Sequence, residues 1–163
     1  MDWLFNGLPI HVLLVHFVVI VVPLAALSAV LVAAWPVARR RIGIVAPILA
    51  LAALISVPIT TQAGEALEEQ VAETAFSEAH THIGRDLLPW AIALFAVTAL
   101  QWAWFHYFTG AGAWTTRIQS RPVRLAIRVI LIVAVVAIAI GAVVEVVIIG
   151  ESGAKSVWQS RLG

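Results

Sequence analysis

Four long apolar stretches divide the chain, and short polar segments separate them. The stretches cover residues 8–35, 42–62, 87–108 and 123–149. Each is long enough to cross the roughly 30 Å hydrocarbon core of a bilayer, which takes about 20 helical residues. Because backbone groups cannot stay unpaired in lipid, each stretch is expected to be a helix. The pattern therefore predicts an all-α fold: an integral membrane four-helix bundle that forms a single domain over residues 1–163.

The arginines predict the orientation of this bundle. They concentrate in the loop between the first and second spans and in the loop before the fourth, and neither loop contains an acid: Arg39, Arg40, Arg41, Arg117, Arg121 and Arg124. By the positive-inside rule both loops are cytoplasmic, so both termini are expected on the extracytoplasmic side, called here the outer side.

Composition places the chain in a membrane. Hydrophobic residues make up 62% of it and charged residues only 12%, with a mean hydropathy of +1.00, which excludes an ordinary soluble domain. The absence of cysteine excludes disulfides, iron–sulfur ligation and thiol chemistry. No cleavable signal peptide is expected, because the first apolar run is too long. Arginines at a membrane surface indicate the lipid bilayer as a partner, and nothing favours nucleic acid.

The segment between the second and third spans is acidic. Its sequence, GEALEEQVAETAFSEAH, places Leu67 and Val71 among five glutamates. This mixture predicts a short amphipathic helix that lies over the outer face of the bundle. A solvated acidic loop that merely separates the two spans explains the same residues equally well.

Polar side chains gather in the outer half of the predicted bundle. His11 lies roughly 5 Å and His16 roughly 12 Å below the outer boundary, at about 1.5 Å per helical residue. The other spans bring more polar residues to this side: Thr60, Thr61, Gln62, His80, His82, Arg85, Asp86 and Glu145. The inner half is nearly bare apart from Gln101 and His106. Ionisable groups inside a membrane are costly and usually face a protein interior, a water cavity or a cofactor, so the asymmetry predicts one site in the outer half.

The spacing of the histidines restricts the chemistry of this site. His11 and His16 are five residues apart and project about 140° apart on a straight helix, so they do not hold one ion together. Each is expected to meet a partner from another helix, as in bis-histidine haem ligation. We predict a haem b site in which His16 faces His82 or His80, with His11 as a supporting or propionate partner. Because His80 and His82 are two residues apart, one of them is expected to point inward.

Structural roles explain the same histidines without a cofactor. His16 is also interpretable as a buried histidine bonded to a threonine or a carbonyl. In the same way, His11 is interpretable as an interfacial residue that touches lipid headgroups, and His80 and His82 as exposed loop residues.

The remaining polar and small residues of the spans have simpler interpretations. Glu145 lies in the apolar run VVEVVIIG and is expected to pair with His11, His16 or Arg85. His106 lies in WAWFHYF and is interpreted as part of an aromatic interfacial belt. Three glycines within or just after the last span are expected to serve packing and helix termination: Gly141, Gly150 and Gly153.

Short motifs along the chain resemble those of a bacterial membrane protein family. HVLLVHF near the N-terminus is similar to the HPLLVHFP-type opening of the family catalogued as domain of unknown function 2231. Gly64 in QAGEALEE, the histidine before Gly84, and the end GESGAKSVW extend the resemblance over most of the chain. Val12 and Val18 stand where the family tends to have proline, so the backbone around the histidines is expected to be more regular.

The resemblance has functional implications. It implies a multi-pass, four-span bundle in the bacterial cytoplasmic (inner) membrane whose histidines are haem or metal ligands, here His11, His16 and one of His80 or His82. Some relatives are joined to Rieske or cytochrome c domains, which implies electron transfer.

Three functional hypotheses result. The first is a haem b protein that passes electrons between a quinol or another membrane redox partner and an acceptor on the outer side. The second is a copper or divalent metal-ion site, with His16 and His82 as ligands. The third is a non-catalytic assembly subunit of a membrane complex, and a homo-oligomer is compatible with each. An independent enzyme is less well supported, since the sequence contains no Ser–His–acid set, phosphate loop or HExxH spacing.

Overall fold

The computed structural model describes residues 4–5, 8–68, 83–109, 112–118 and 120–162. Its helices are α1 (Ile10–Ala34), α2 (Pro36–Ile42), α3 (Val45–Glu68), α4 (Leu87–Tyr107) and α5 (Arg121–Leu162). Before α1, two short strands, β1 (Leu4–Phe5) and β2 (Leu8–Pro9), pair in antiparallel fashion. Helices α1, α3, α4 and α5 are long and apolar enough to cross a membrane. Apart from these two-residue strands, the predicted helical bundle with four helices of membrane-spanning length is confirmed.

The four spanning helices form a closed ring of neighbours. Each packs against the span that precedes it in the chain, and α5 returns to pack against α1. The contacts between α1 and α4 are fewer, which makes these two helices one diagonal of the ring. This is the arrangement of an up-and-down bundle, in which short connections join neighbouring helices.

Small side chains let these helices approach closely. The core contains many alanines with almost no exposed surface: Ala25, Ala29, Ala50, Ala53, Ala91 and Ala142. In lipid, close backbone approach replaces the hydrophobic effect as the main source of helix association. Large apolar side chains such as Ile20, Leu27 and Ile130 lie instead on the outside of the ring, as a lipid-facing surface requires.

The first predicted loop is itself helical. The structure ends α1 at Ala34, and Trp35 has the extended conformation φ −117°, ψ 113°. The residue before a proline is disfavoured in the helical region, and Pro36 follows Trp35. Pro36 then occupies the first turn of α2, where the missing N–H is not needed. The loop arginines Arg39, Arg40 and Arg41 therefore lie on a short helix.

Two helices extend beyond their predicted ends. Helix α3 continues past Gln62 to Glu68, so the first residues of the acidic segment belong to the span helix itself. The rest of the predicted amphipathic segment lies outside the described residues. Helix α5 continues past Ile149 to Leu162, so the prediction that Gly150 and Gly153 terminate it is wrong. A glycine costs a helix only about 1 kcal/mol relative to alanine, which does not by itself end a long helix.

The two ends of the bundle differ in chemistry. We call one the histidine end, where His11, Gly64, Glu65 and Arg85 lie. We call the opposite one the arginine end, where the second turn of α2 meets the end of α4 and the start of α5.

Candidate functional site

His11 joins α1 to α3 at the histidine end. Its Nδ1 lies 3.0 Å from the backbone carbonyl oxygen of Thr60, and its side chain is half-buried. A carbonyl only accepts, so Nδ1 carries the proton and donates it. The ring lies beside Gly64, where an added Cβ would come within 2.8 Å of Cε1 and 3.0 Å of Nδ1. Gly64 therefore makes the space that the imidazole occupies.

The two threonines beside this contact, Thr60 and Thr61, hydrogen-bond through their hydroxyls to carbonyls of their own helix. Thr60 Oγ1 donates to the carbonyl of Ser56 at 2.7 Å, and Thr61 Oγ1 donates to that of Val57 at 3.1 Å. Such bonds along one helix are the usual way for a membrane helix to carry hydroxyls. Thr60 thus contributes its carbonyl to the histidine contact, and neither hydroxyl is aimed at a ligand.

His16 faces away from the other described helices. Its side chain is exposed and lies on the same face of α1 as the exposed residues Val12 and Ile20. Nδ1 lies 2.6 Å from the carbonyl of Val12, one turn earlier on the same helix. That carbonyl holds the proton on Nδ1, so the lone pair of the neutral ring is on Nε2, which points outward from the anchored edge. The predicted difference in direction between His11 and His16 is therefore confirmed.

Glu145 and Arg85 do not pair with each other. Arg85 instead donates through Nε at 3.0 Å and Nη2 at 2.7 Å to Oε1 of Glu65, which ties the start of α4 to the end of α3. Both side chains are well exposed, so this ion pair contributes about 1 kcal/mol or less to stability. Glu145 is half-buried on α5, one turn beyond Gly141 towards the histidine end.

Two predicted ligands lie outside the described residues, namely His80 and His82. The proposed pairing of His16 with either of them is therefore a prediction that the structure does not test. Over the described ranges, no group of three or more His, Asp or Glu side chains is close enough to hold a metal ion. The metal-ion hypothesis has no supporting geometry in that part of the chain.

The interior of the ring does not have room for a haem between the described helices. At the levels below His11, it is filled by contiguous buried side chains from all four spans, among them Val22, Ala53, Leu94 and Ala142. A macrocycle would need these closely packed positions to separate. The outward face of α1 at His16 does fit an axial ligand, because the ring is exposed and Nδ1–H is already bonded to a carbonyl.

His106 lies at the arginine end among aromatic rings. It stacks on Trp102 with ring centroids 5.0 Å apart and meets the edge of Tyr107 at 4.7 Å. This placement agrees with the predicted aromatic belt and gives His106 no role in the histidine end.

Gln101 is the buried polar side chain whose bonding is incomplete. It is 1% exposed, and Nε2 donates to the carbonyl of Ala29 across the α1–α4 diagonal at 3.3 Å. In the described structure Oε1 is buried with no hydrogen-bond partner. An unsatisfied buried acceptor costs about 1–3 kcal/mol.

We therefore expect Gln101→Met to raise the unfolding temperature of the detergent-purified protein. Methionine has a similar volume and no buried acceptor, so the free energy of unfolding should rise by about 1 kcal/mol. Thr98→Val is the matched control on the same helix, since the Thr98 hydroxyl is already bonded to the carbonyl of Leu94 at 2.8 Å. It should bring no increase. A lower unfolding temperature for Gln101→Met would show that the lost bond from Nε2 to Ala29 outweighs the cost of burying Oε1.

Comparisons with known protein families, with curated proteins and with solved structures found no match to this chain. The resemblance to the domain of unknown function 2231 therefore remains a prediction.

The residues that sequence reasoning missed are at the arginine end and on α5. Arg39, Arg124 and Arg128 line one pocket, although the sequence analysis used Arg39 and Arg124 only for orientation. One signal was present: Arg124 and Arg128 are four residues apart and lie on one face of a helix. The contact between Trp90 and Gly141 was missed as well.

Proposed function

We propose that this protein is a membrane-embedded haem b protein that transfers electrons, in which His16 would be one of the residues that hold the haem iron. The second ligand in this proposal is His80 or His82, on the segment between α3 and α4. The orientation that we propose places both termini and the histidine end on the outer side of a bacterial cytoplasmic membrane. The redox partner would be a quinol or another membrane protein.

The anchored ring of His16 is the observation that carries this proposal. The bond from Nδ1 to the Val12 carbonyl fixes the tautomer and the ring direction, as is usual for histidines that bind metals. Without such a role, an exposed imidazole among lipid-facing residues would be energetically unfavourable in a membrane helix. A haem bound there would supply reversible one-electron transfer at its iron.

His11 has a positioning role in this proposal. Its hydrogen bond to Thr60 fixes the entry of α1 against α3, five residues before His16. It thereby sets the direction in which the next turns of α1 face.

The test is an absorption spectrum of protein purified after expression with added haem precursor. We expect a Soret band and, after reduction, the sharp α-band of a six-coordinate haem. His16→Ala should abolish or greatly reduce both. His106→Ala is the matched control, since it removes an exposed imidazole from the opposite end, and its spectrum should equal that of the wild type. No Soret band, or a band unchanged by His16→Ala, would refute the proposal.

A second candidate function is a non-catalytic assembly subunit. The observation that favours it is the His11–Thr60 bond, which shows that one of the two histidines of α1 serves helix contact. For this function His16→Leu should leave expression, stability and any co-purified partner unchanged. Loss of a cofactor or of activity in that variant would exclude it.

A further inference from the structure

Three arginines from two parts of the chain line one pocket at the arginine end. The pocket has a volume of about 290 Å³ and lies between the second turn of α2, the end of α4 and the first turns of α5. Its lining combines guanidinium groups, a hydroxyl and apolar walls: Arg39, Arg124, Arg128, Thr109, Trp104, Phe105 and Leu125. No carboxylate is among them.

Arg39 is held in place before any ligand binds. Its Nε donates to the carbonyl of Val32 at 3.1 Å and its Nη2 to that of Ala33 at 2.8 Å, which satisfies two carbonyls at the end of α1. The guanidinium carbon lies 3.5 Å from the centre of the Phe105 ring, a cation–π contact. These contacts leave the Nη1 amino group for a ligand and reduce the entropy lost on binding.

The positive charge of the pocket is not balanced by the protein. The sequence contains no Asp or Glu between residues 3 and 64 or between residues 87 and 144, so the helices that form this end carry no acid near it. Burial, together with the positive charge of Arg128, lowers the pKa of Arg39 from its ordinary value. The guanidinium groups therefore repel one another, and an anion bound among them would relieve that repulsion.

We propose that this pocket binds the phosphate group of an anionic phospholipid headgroup. Arginine presents planar pairs of N–H donors that match phosphate oxygens, and three of them line this pocket. The site requires no haem and is independent of the function proposed above.

The position of the pocket favours a lipid over a soluble phosphate. Leu125 lines the pocket and is 63% exposed on the outside of the ring, where acyl chains would lie. Trp104 and Phe105 belong to the last turn of α4, at the depth where aromatic side chains meet headgroups. The arginine end is the cytoplasmic end by the positive-inside rule, and basic pockets between helices on that side bind anionic headgroups.

The experiment is native mass spectrometry of the full-length protein in neutral detergent, titrated with phosphatidylglycerol or phosphatidylcholine. We expect saturable binding of phosphatidylglycerol. The double variant Arg124→Gln/Arg128→Gln should bind it about ten-fold or more weakly, because two charge-assisted hydrogen-bonding groups are lost. Arg124→Lys/Arg128→Lys keeps the charge without the planar fork and should bind with intermediate affinity.

The matched control is Arg40→Gln/Arg41→Gln, which removes two exposed charges from the same end outside the pocket. It should bind phosphatidylglycerol as the wild type does. Equal weakening in both double variants, or equal binding of phosphatidylcholine, would overturn the proposal. If inorganic phosphate raises the unfolding temperature and phosphatidylglycerol vesicles add nothing further, the ligand is a soluble phosphate and the lipid assignment is wrong.

Discussion

Replacing Gly141 by alanine is expected to lower the stability of the bundle by about 1–3 kcal/mol, the usual cost of overpacking a close contact. A methyl group at this position would overlap three carbons of the Trp90 ring, of which Cε3 lies 2.7 Å away. Trp90 is half-buried and packs against the core, so displacement of its ring would cost packing between α4 and α5. Gly141→Leu should have a larger effect. The measurement is the unfolding temperature in detergent, followed by far-ultraviolet circular dichroism.

Gly150→Ala provides the control on the same helix. A Cβ at Gly150 would meet nothing within 4 Å, so the substitution tests helix propensity alone. Because alanine is favoured over glycine by about 1 kcal/mol within a helix, Gly150→Ala should preserve or raise the unfolding temperature. If Gly141→Ala and Gly150→Ala behave alike, the contact between Trp90 and Gly141 does not hold the helices together.

The existence of the four spans could be predicted from the sequence because it depends on length and hydropathy alone. Hydrophobic runs of this length have few alternatives to a membrane helix. The direction that each helix faces was harder to predict, since α1 and α4 are apolar on all sides and show no amphipathic stripe. The inward face differs from the outward face in the size of its residues, which are small. Hydropathy alone does not detect this difference.

A seven-residue spacing does indicate which face of α1 points towards the core. His11, Val18, Ala25 and Val32 are seven residues apart and share one face of α1, and the last three are buried. The contact of His11 with α3 therefore follows from its register with the buried residues. His16 is out of this register, which explains why it faces outward and not towards the core.

The helix ends were predicted less well for a physical reason. Glycine and polar residues end soluble helices because water can bind the freed backbone groups. Helix α5 keeps its backbone hydrogen bonds through Gly150 and Gly153, and the ion pair between Glu151 and Lys155, 2.7 Å apart at i, i+4, lies on this extension. Arg39 meets Arg124 and Arg128 in one pocket because it lies on helix α2. No hydropathy pattern predicts that helix.

The two ends of the bundle handle charge in different ways. At the histidine end, Arg85 meets Glu65 and His11 meets a carbonyl, so the protein supplies partners for its own polar groups. At the arginine end, the guanidinium groups of the pocket have no acid within the adjoining sequence. A partner from outside the chain is therefore expected at the second end on electrostatic grounds, whereas among the described residues of the first end it is expected at His16.

Replacing Gly64 by alanine is expected to displace His11 and to lower the stability of the α1–α3 contact by about 1–3 kcal/mol. The new Cβ would lie within 2.8 Å of the imidazole, so the ring must move and its bond to the Thr60 carbonyl must lengthen or break. His11→Ala alone should cost about 1 kcal/mol for the lost hydrogen bond, together with some packing.

The double variant separates steric overlap from a general effect of changing Gly64. In the His11→Ala background the ring is absent, so Gly64→Ala should cost little and can even stabilise α3 through its higher helix propensity. A coupling free energy near or above 1 kcal/mol between the two substitutions, measured by unfolding in detergent, is the expected result. Additive effects would mean that the imidazole does not rest on Gly64. A Soret band that survives Gly64→Ala but not His16→Ala would then assign contact between helices to His11 and ligation to His16.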